Sequence, residues 1–297
     1  MSAHWYHLSD AVSFKVSGKD ARRYLNNRLS NDLRSLAQGE STLAAALTAQ
    51  GRVECLCSVF VGAQDVFYLV ADGGNRQAIF ASLGRFIVAD RVSIEDISAV
   101  SLFAHITAST DAVSHALGDA GEACFMRPCN RIGAEGVDVL LVNPQGTAAS
   151  ERLQLAFGAP LSRDEYTLLR CSQGSPVFPD EVNDRVILTE CGMRSAVSFS
   201  KGCYVGQEVI ERSDAIGKLP RTLVRMRFAG VGNLPAETSI VSSAGESLGK
   251  VVTAAPDTSA ARIYVFALLK SGSYSIGSTV SAGGFSGEIL SMEQHTK

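Results

Sequence analysis

Beyond Leu219-Pro220 the helical spacing of apolar residues gives way to a period of two, and that switch limits the fold more than any other feature of the chain. Thr222, Val224, Met226 and Phe228 alternate with Leu223, Arg225 and Arg227, the pattern of a strand whose side chains point to opposite faces. Further short strands are expected at Ser239 to Val241, Gly249 to Ala254, Arg262 to Leu269 and Gly287 to Met292, separated by glycine-bearing turns. Nine of the 27 glycines fall in the last 68 residues, a density that suits the corners of a small closed or partly closed β-barrel. Residues 217–297 are therefore expected to form such a barrel, with a boundary near Gly217.

Residues 1–216 mix both periods. A strand from Ser13 to Val16 runs into Ser17-Gly18-Lys19-Asp20, after which Ala21, Tyr24, Leu25 and Leu29 repeat at helical spacing. Ser41 to Ala49 reads as a buried strand, Val53 to Val61 with Asp65 to Val70 as a hairpin, and Asn75 as the start of a helix with the stripe Ile79, Leu83, Phe86 and Ile87, followed by a strand near Arg91 to Ile94. A second, similar rhythm follows. It holds strands at Val100 to Ile106 and Val137 to Val142 and helices at Asp111 to Leu117, Ala148 to Phe157 and Arg163 to Arg170, the last opened by a capping box of Ser162 and Glu165. The regular βαβ period of a parallel sheet is missing, so this half is expected to be α+β, with antiparallel sheets covered by helices on one face. Two interleaved modules are expected, the inner one spanning roughly residues 52–100.

At 297 residues and 46% hydrophobic, the chain has enough apolar material for a sizeable core. The net charge is −3 and no cationic run resembles a phosphate-binding stripe, which disfavours direct nucleic-acid binding. No apolar run reaches the length needed to span a bilayer, and a cytoplasmic monomer is the expectation. The seven cysteines are odd in number and scattered, as suits reduced thiols, and no pair has the two-residue gap of a zinc or thioredoxin-type motif. Cys55, Cys57, Cys124 and Cys129 are read as small apolar residues, so no metal site is expected.

One segment carries distinctive chemistry: Lys201-Gly202-Cys203-Tyr204-Val205-Gly206-Gln207-Glu208. A thiol just ahead of a helix N-terminus and two residues from an ammonium group has its thiolate favoured by both. Gly202 and Gly206 permit tight turns and the close approach of a planar ligand. The same spacing also suits a small core cysteine between two turns.

This octapeptide is similar to the K-G-C-Y-x-G-Q-E signature of the YgfZ family, relatives of the glycine-cleavage T-protein. The resemblance extends to Val16-Ser17-Gly18-Lys19-Asp20-Ala21, Leu29-Ser30-Asn31-Asp32, Gln50-Gly51-Arg52, Leu169-Arg170, Thr189-Glu190 and Gly249-Lys250-Val251-Val252-Thr253-Ala254. It implies two ferredoxin-like α+β modules and a C-terminal barrel arranged as a ring, with tetrahydrofolate or a related folate in the central hole. It also implies a part in iron–sulfur cluster assembly or repair, supporting cluster enzymes that include tRNA-modifying ones, with assembly proteins or client enzymes as partners.

Under that resemblance Cys203 and Lys201 are the reactive pair, and Glu190 matches the acid that T-protein-like sites use for the pterin, where one carboxylate accepts from two adjacent N–H groups. Arg170 can pair with the folate's glutamyl carboxylate or with an acidic neighbour. Tyr204 can stack on a ligand ring or pack, and Gln207 completes the cofactor-binding set. The T-protein segment that aligns with Gln50 to Cys55 carries a pair of aspartates, the second of them set against the reactive folate nitrogen; this chain has Glu54-Cys55. A thiol does not reproduce that carboxylate. A folate-binding accessory factor with Cys203 as a functional cysteine beside the folate site is thus the first reading, and a tetrahydrofolate-dependent aminomethyltransferase or demethylase using Glu54 is the alternative.

Overall fold

The computed structural model describes residues 3–119, 121–144, 148–217 and 219–290. In chain order its elements are β1 (Trp5–His7), β2 (Val12–Ser17), α1 (Ala21–Arg28), β3 (Ser41–Leu47), β4 (Val53–Val61), β5 (Phe67–Ala71), α2 (Arg76–Gly84), β6 (Ser93–Asp96), β7 (Ser101–Ile106), α3 (Thr110–Leu117), β8 (Gly121–Cys129) and β9 (Gly136–Pro144). They continue as α4 (Ala148–Phe157), α5 (Arg163–Gln173), α6 (Gln207–Ile216), β10 (Arg221–Ala229), β11 (Ser239–Ser242), β12 (Ser247–Asp257), β13 (Arg262–Lys270), β14 (Thr279–Ala282) and β15 (Phe285–Leu290).

The strands form three antiparallel units: a five-stranded sheet β3-β4-β5-β2-β6, a four-stranded sheet β1-β7-β9-β8, and a closed barrel β10-β13-β12-β11-β14-β15. The fold is therefore α+β with a six-stranded C-terminal barrel. The five-stranded sheet begins at Val12, and β3 pairs with β4 across residue 52, so the inner module expected at 52–100 does not coincide with a break in the sheet. Its hairpin turns at residues 48–52, too short a loop to separate two modules. β1 crosses to the other sheet and pairs with β7, which ties the N-terminus to the second module.

Alternation along β4 and β9 explains how the sheets meet. Cys55, Cys57, Val59 and Val61 of β4 pack with Leu25 of α1 and Ile79 and Leu83 of α2, while Phe60 faces the other way. On β9, Val137, Val139 and Leu141 pack with Val113 of α3 and Leu153 of α4, while Leu140 and Val142 face the first sheet. Phe60, Val70, Phe103, Leu140 and Val142 form the apolar layer between the sheets. Each such side chain removed from water is worth about 1.5–3 kcal/mol. In the barrel Val224, Met226 and Phe228 turn inward as the alternation requires, and Leu223 is also buried because the outer face of β10 packs on the first module.

Local chemistry sets the helix ends. Asn75 caps α2 by accepting from the Ala78 amide, and the Ser162/Glu165 capping box opens α5. α2 ends at Gly84, so Phe86 falls outside the expected helical stripe; it is 45% exposed and lies beneath the Arg28 guanidinium. The final strand ends at Leu290, and residues 291 and 292 of the expected strand lie outside the described residues.

The glycines of the distinctive octapeptide differ in what they do. A Cβ on Gly206 (φ +85°) would stand 2.5 Å from the Thr48 carbonyl oxygen and 3.3 Å from the Gly51 Cα, so this glycine lets the start of α6 touch the β3–β4 turn. The close approach is to the protein's own backbone. A Cβ on Gly202 would meet no atom within 4 Å. Gly206→Ala is expected to destabilise the protein by more than about 2 kcal/mol in urea unfolding, from left-handed strain plus a backbone clash, and Gly202→Ala by less than about 1 kcal/mol.

Candidate functional site at the junction of the three modules

A cavity of about 800 Å³ opens where the two sheets and the barrel converge. The first sheet contributes Thr42, Leu43, Leu56 and Ser58, the end of β8 and the following loop contribute Arg127 to Arg131, the connecting segments contribute Gly174 to Phe178 together with Thr189, Cys191 to Met193 and Ser195, and the barrel contributes Thr222 to Val224 with Tyr274. Asp72 is the single carboxylate among the described lining residues. The volume lies within the usual range for a small-molecule site, and its walls mix apolar surfaces with a few polar groups.

A buried ionic hub supports one side of this cavity. Asp138, on β9, has no solvent exposure and accepts from Arg131 Nε (2.7 Å) and Nη2 (2.9 Å), Arg127 Nη2 (2.5 Å) and His105 Nδ1 (3.0 Å). Arg131 also grips both oxygens of Asp72, just beyond β5, so one guanidinium bridges the two modules. Burial pushes the Asp138 pKa up, but the two guanidiniums and the His105 hydrogen bond outweigh it and hold the carboxyl well below the usual range. Because that carboxylate only accepts, His105 carries its proton on Nδ1; burial lowers the His105 pKa and keeps the ring neutral.

His105, Asp138 and Cys129 lie close enough together to resemble a metal donor set. The carboxylate's charge is already matched by two guanidiniums, and burial pushes the Cys129 thiol up to about 12, so the cluster is built as an ion-pair hub. Of its members, Cys129 was read from sequence as a small apolar residue, and His105 and Asp138 were not singled out. The available signal was Asp138 itself, a charge inside the apolar run Val137 to Val142 that needs buried partners.

The residues nominated from sequence occupy other places, and none of the six lines the cavity. Cys203 is exposed, four residues ahead of α6. Lys201 does not serve the thiol with its donors. Its buried ammonium donates to the carbonyls of Asn26, Leu29 (2.8 Å) and Asn31 (2.7 Å), using three protons on three acceptors at the end of α1. Burial lowers its pKa to about 8. Tyr204 packs in the core of the first module beneath Lys201 instead of presenting a face to a ligand, and burial pushes its hydroxyl up to about 12. Gln207 accepts from the Tyr204 amide and donates to Glu211 (2.6 Å), which fixes the entry to α6.

Glu190 lies behind the cavity wall, between the lining residues Thr189 and Cys191. Its two oxygens accept from Arg221 at 3.0 and 3.1 Å, and one also accepts from the Ile187 amide, so a pterin would reach it only by displacing Arg221. Arg170 is spent in a buried pair with Glu181 and Asp180, each at 2.7 Å, on the far side of Phe178 and Val177 from the main cavity. That is the acidic-neighbour option of the two weighed for it. Cys55 points into the helix-side core, and Glu54 is held by Arg28 (2.6 Å), Arg85 (2.8 Å) and Ser82 (2.9 Å).

Two measurements check these assignments. Lys201→Met leaves three buried carbonyls short of donors and is expected to cost about 2–4 kcal/mol in chemical unfolding, whereas Cys203→Ser stays within about 0.5 kcal/mol. For the hub, the folded state holds His105 neutral, so the unfolded chain binds the extra proton as pH falls below 6.5; stability is complete above that value and declines below it. His105→Asn, which keeps a donor to Asp138, should flatten the decline just below that value; the slope that remains there belongs to His7, whose pKa burial also lowers, and the carboxylates with lowered pKa values add their own loss at more acid pH.

Comparison with known proteins agrees with this architecture. The GCVT N-terminal domain matches residues 2–110. A putative chloroplastic transferase of Arabidopsis thaliana is 25% identical over 296 residues, covering 93% of this chain and 67% of the relative. The tRNA-modifying protein YgfZ of Colwellia psychrerythraea is 22% identical, covering 73% and 69%, and a mitochondrial iron–sulfur cluster assembly factor IBA57 homolog of Mycosarcoma maydis is 27% identical, covering 74% and 56%. The crystal structure of the glycine cleavage system aminomethyltransferase T from Bartonella henselae superposes with a TM-score of 0.81 at 17% identity, covering 99% of this chain and 87% of that one, which shows a shared fold. The octapeptide, the matched N-terminal domain and the two sheets with a closed barrel make the chain similar to T-protein relatives that include YgfZ and an IBA57 homolog, and the fold it shares is that of the glycine-cleavage T-protein.

Proposed function

We propose that this protein is a folate-binding accessory factor for iron–sulfur cluster proteins, with tetrahydrofolate or a related folate in the central cavity and Cys203 presented on the outside. The observation that carries the reading is the cavity's chemistry. It has room for a pterin and its aminobenzoyl tail, apolar walls for the rings at Leu43, Leu56, Phe178 and Leu223, and Thr42, Thr189 and Ser195 for polar edges. Bound there, a folate would supply a one-carbon carrier, while the chain's own residues would bind and orient it.

The alternative, an aminomethyltransferase or demethylase, needs a free carboxylate near the reactive nitrogen. Asp72 is locked by Arg131, Cys55 turns away, and Glu54 is engaged on three sides. Burial would raise the Glu54 pKa, but its bonds to Ser82, Arg28 and Arg85 lower it overall, which makes it a weak base. Binding without conventional transfer is the reading this arrangement favours.

Cys203 would offer its exposed thiol to a cluster, a sulfur species or a partner's thiol. A single thiol does not hold a conventional cluster, which takes four cysteines, so contact would be transient or shared with a partner. The names of the YgfZ and IBA57 relatives support the link to tRNA modification and to cluster assembly respectively.

Calorimetric titration with tetrahydrofolate is expected to give one site per chain, unchanged by Cys203→Ser. In a deletion strain the same variant should fail to restore cluster-enzyme activity. Full rescue by Cys203→Ser would remove the thiol from the account. Methylenetetrahydrofolate formed above background from an aminomethyl donor would restore the transferase reading.

A further inference from the structure

The ionic hub does not saturate all of its cations. Arg131 spends Nε, Nη1 and Nη2 on Asp138 and Asp72, so both of its faces are matched. Arg127 gives Nη2 to Asp138 and Nε to the Ser58 hydroxyl (3.1 Å), and its Nη1 has no acceptor among the described residues. Its side chain keeps 17% of its exposure, and the residue lines the cavity. The surrounding charges balance: Arg127 and Arg131 against Asp72 and Asp138, with His105 neutral. The cavity therefore has no broad positive field, and an anion would be selected by one directed N–H pair on a guanidinium already fixed at two other nitrogens.

We propose that Arg127 is the specificity-determining residue of the central cavity, donating through Nη1 to a carboxylate of the bound ligand. In the folate reading, on which this rests, that carboxylate belongs to the glutamyl tail, so the tail contributes to recognition along with the ring. Ser58 and Asp138 hold the guanidinium in place, and its ordering entropy is already lost before the ligand arrives. Asp138 keeps Arg131 and His105 as donors when Arg127 is replaced, so the hub survives the substitution that tests this role.

The test compares tetrahydrofolate with its diamide, in which both glutamyl carboxylates are neutral amides, by calorimetry on the full chain. The unmodified protein is expected to prefer tetrahydrofolate by roughly ten- to a hundredfold, the usual worth of a charge-assisted hydrogen bond. Arg127→Gln should erase that preference while leaving diamide affinity unchanged, and Arg127→Lys should keep part of it. A preference that persists in Arg127→Gln, or an equal loss of both ligands, overturns the assignment and leaves folate binding intact. If the unmodified protein binds neither ligand, the folate reading itself falls.

Discussion

The buried charge of Asp138 is the constraint around which the cavity is organised. A carboxylate with no solvent exposure costs several kcal/mol unless it is paired and hydrogen-bonded, and here it takes four N–H groups from three side chains. Arg131 then reaches on to Asp72, so satisfying one buried group also fixes the second sheet against the first. The apolar layer of Phe60, Phe103 and Leu140 supplies non-directional adhesion between the sheets. The hub supplies direction, and it leaves Arg127 at the cavity edge with its Nη1 unmatched among the described residues.

The octapeptide emerges with a different division of labour from the one its spacing implies. Lys201 ties the loop to the carbonyls at the end of α1, Tyr204 fills the first module's core, Gly206 admits the β3–β4 turn, and Gln207 organises the first turn of α6. Four of its positions are thus explained by architecture. Cys203 is exposed and has no such structural duty, which is why the proposed chemistry is concentrated on it. The loop is anchored at Lys201 on one side of the thiol and at Tyr204 on the other, so the thiol sits on a fixed support.

Much of the fold was legible because it rests on periodicity and local signals. Alternation announced β10, apolar spacing announced α1, Gly118 marked the end of α3, and the Ser162/Glu165 box announced α5. β8 escaped because the apolar run Cys124 to Met126 is short and is cut by Arg127-Pro128, with no period of two and a proline that argues against a strand, and β1 because three residues are too few to show a period. The site was harder to read. Its cations and acids come from positions 72, 127, 131 and 138, which only tertiary pairing brings together, whereas motif residues close in sequence proved to be spread between core, surface and helix entry. Glu190 and Arg170 illustrate the same limit: a charge followed by or flanked by apolar residues signals burial, but sequence does not reveal that Arg221 and the Asp180/Glu181 pair already occupy them.

The central claim is that folate occupies the cavity between the modules while the thiol works outside it. A crystal structure of the protein with tetrahydrofolate tests this most directly. The account predicts ligand density bounded by Arg127, Leu56 and the Thr189 to Ser195 segment, with Cys203 Sγ out of contact. Density against Cys203 on the outer surface, or an empty cavity at saturating ligand, would contradict it.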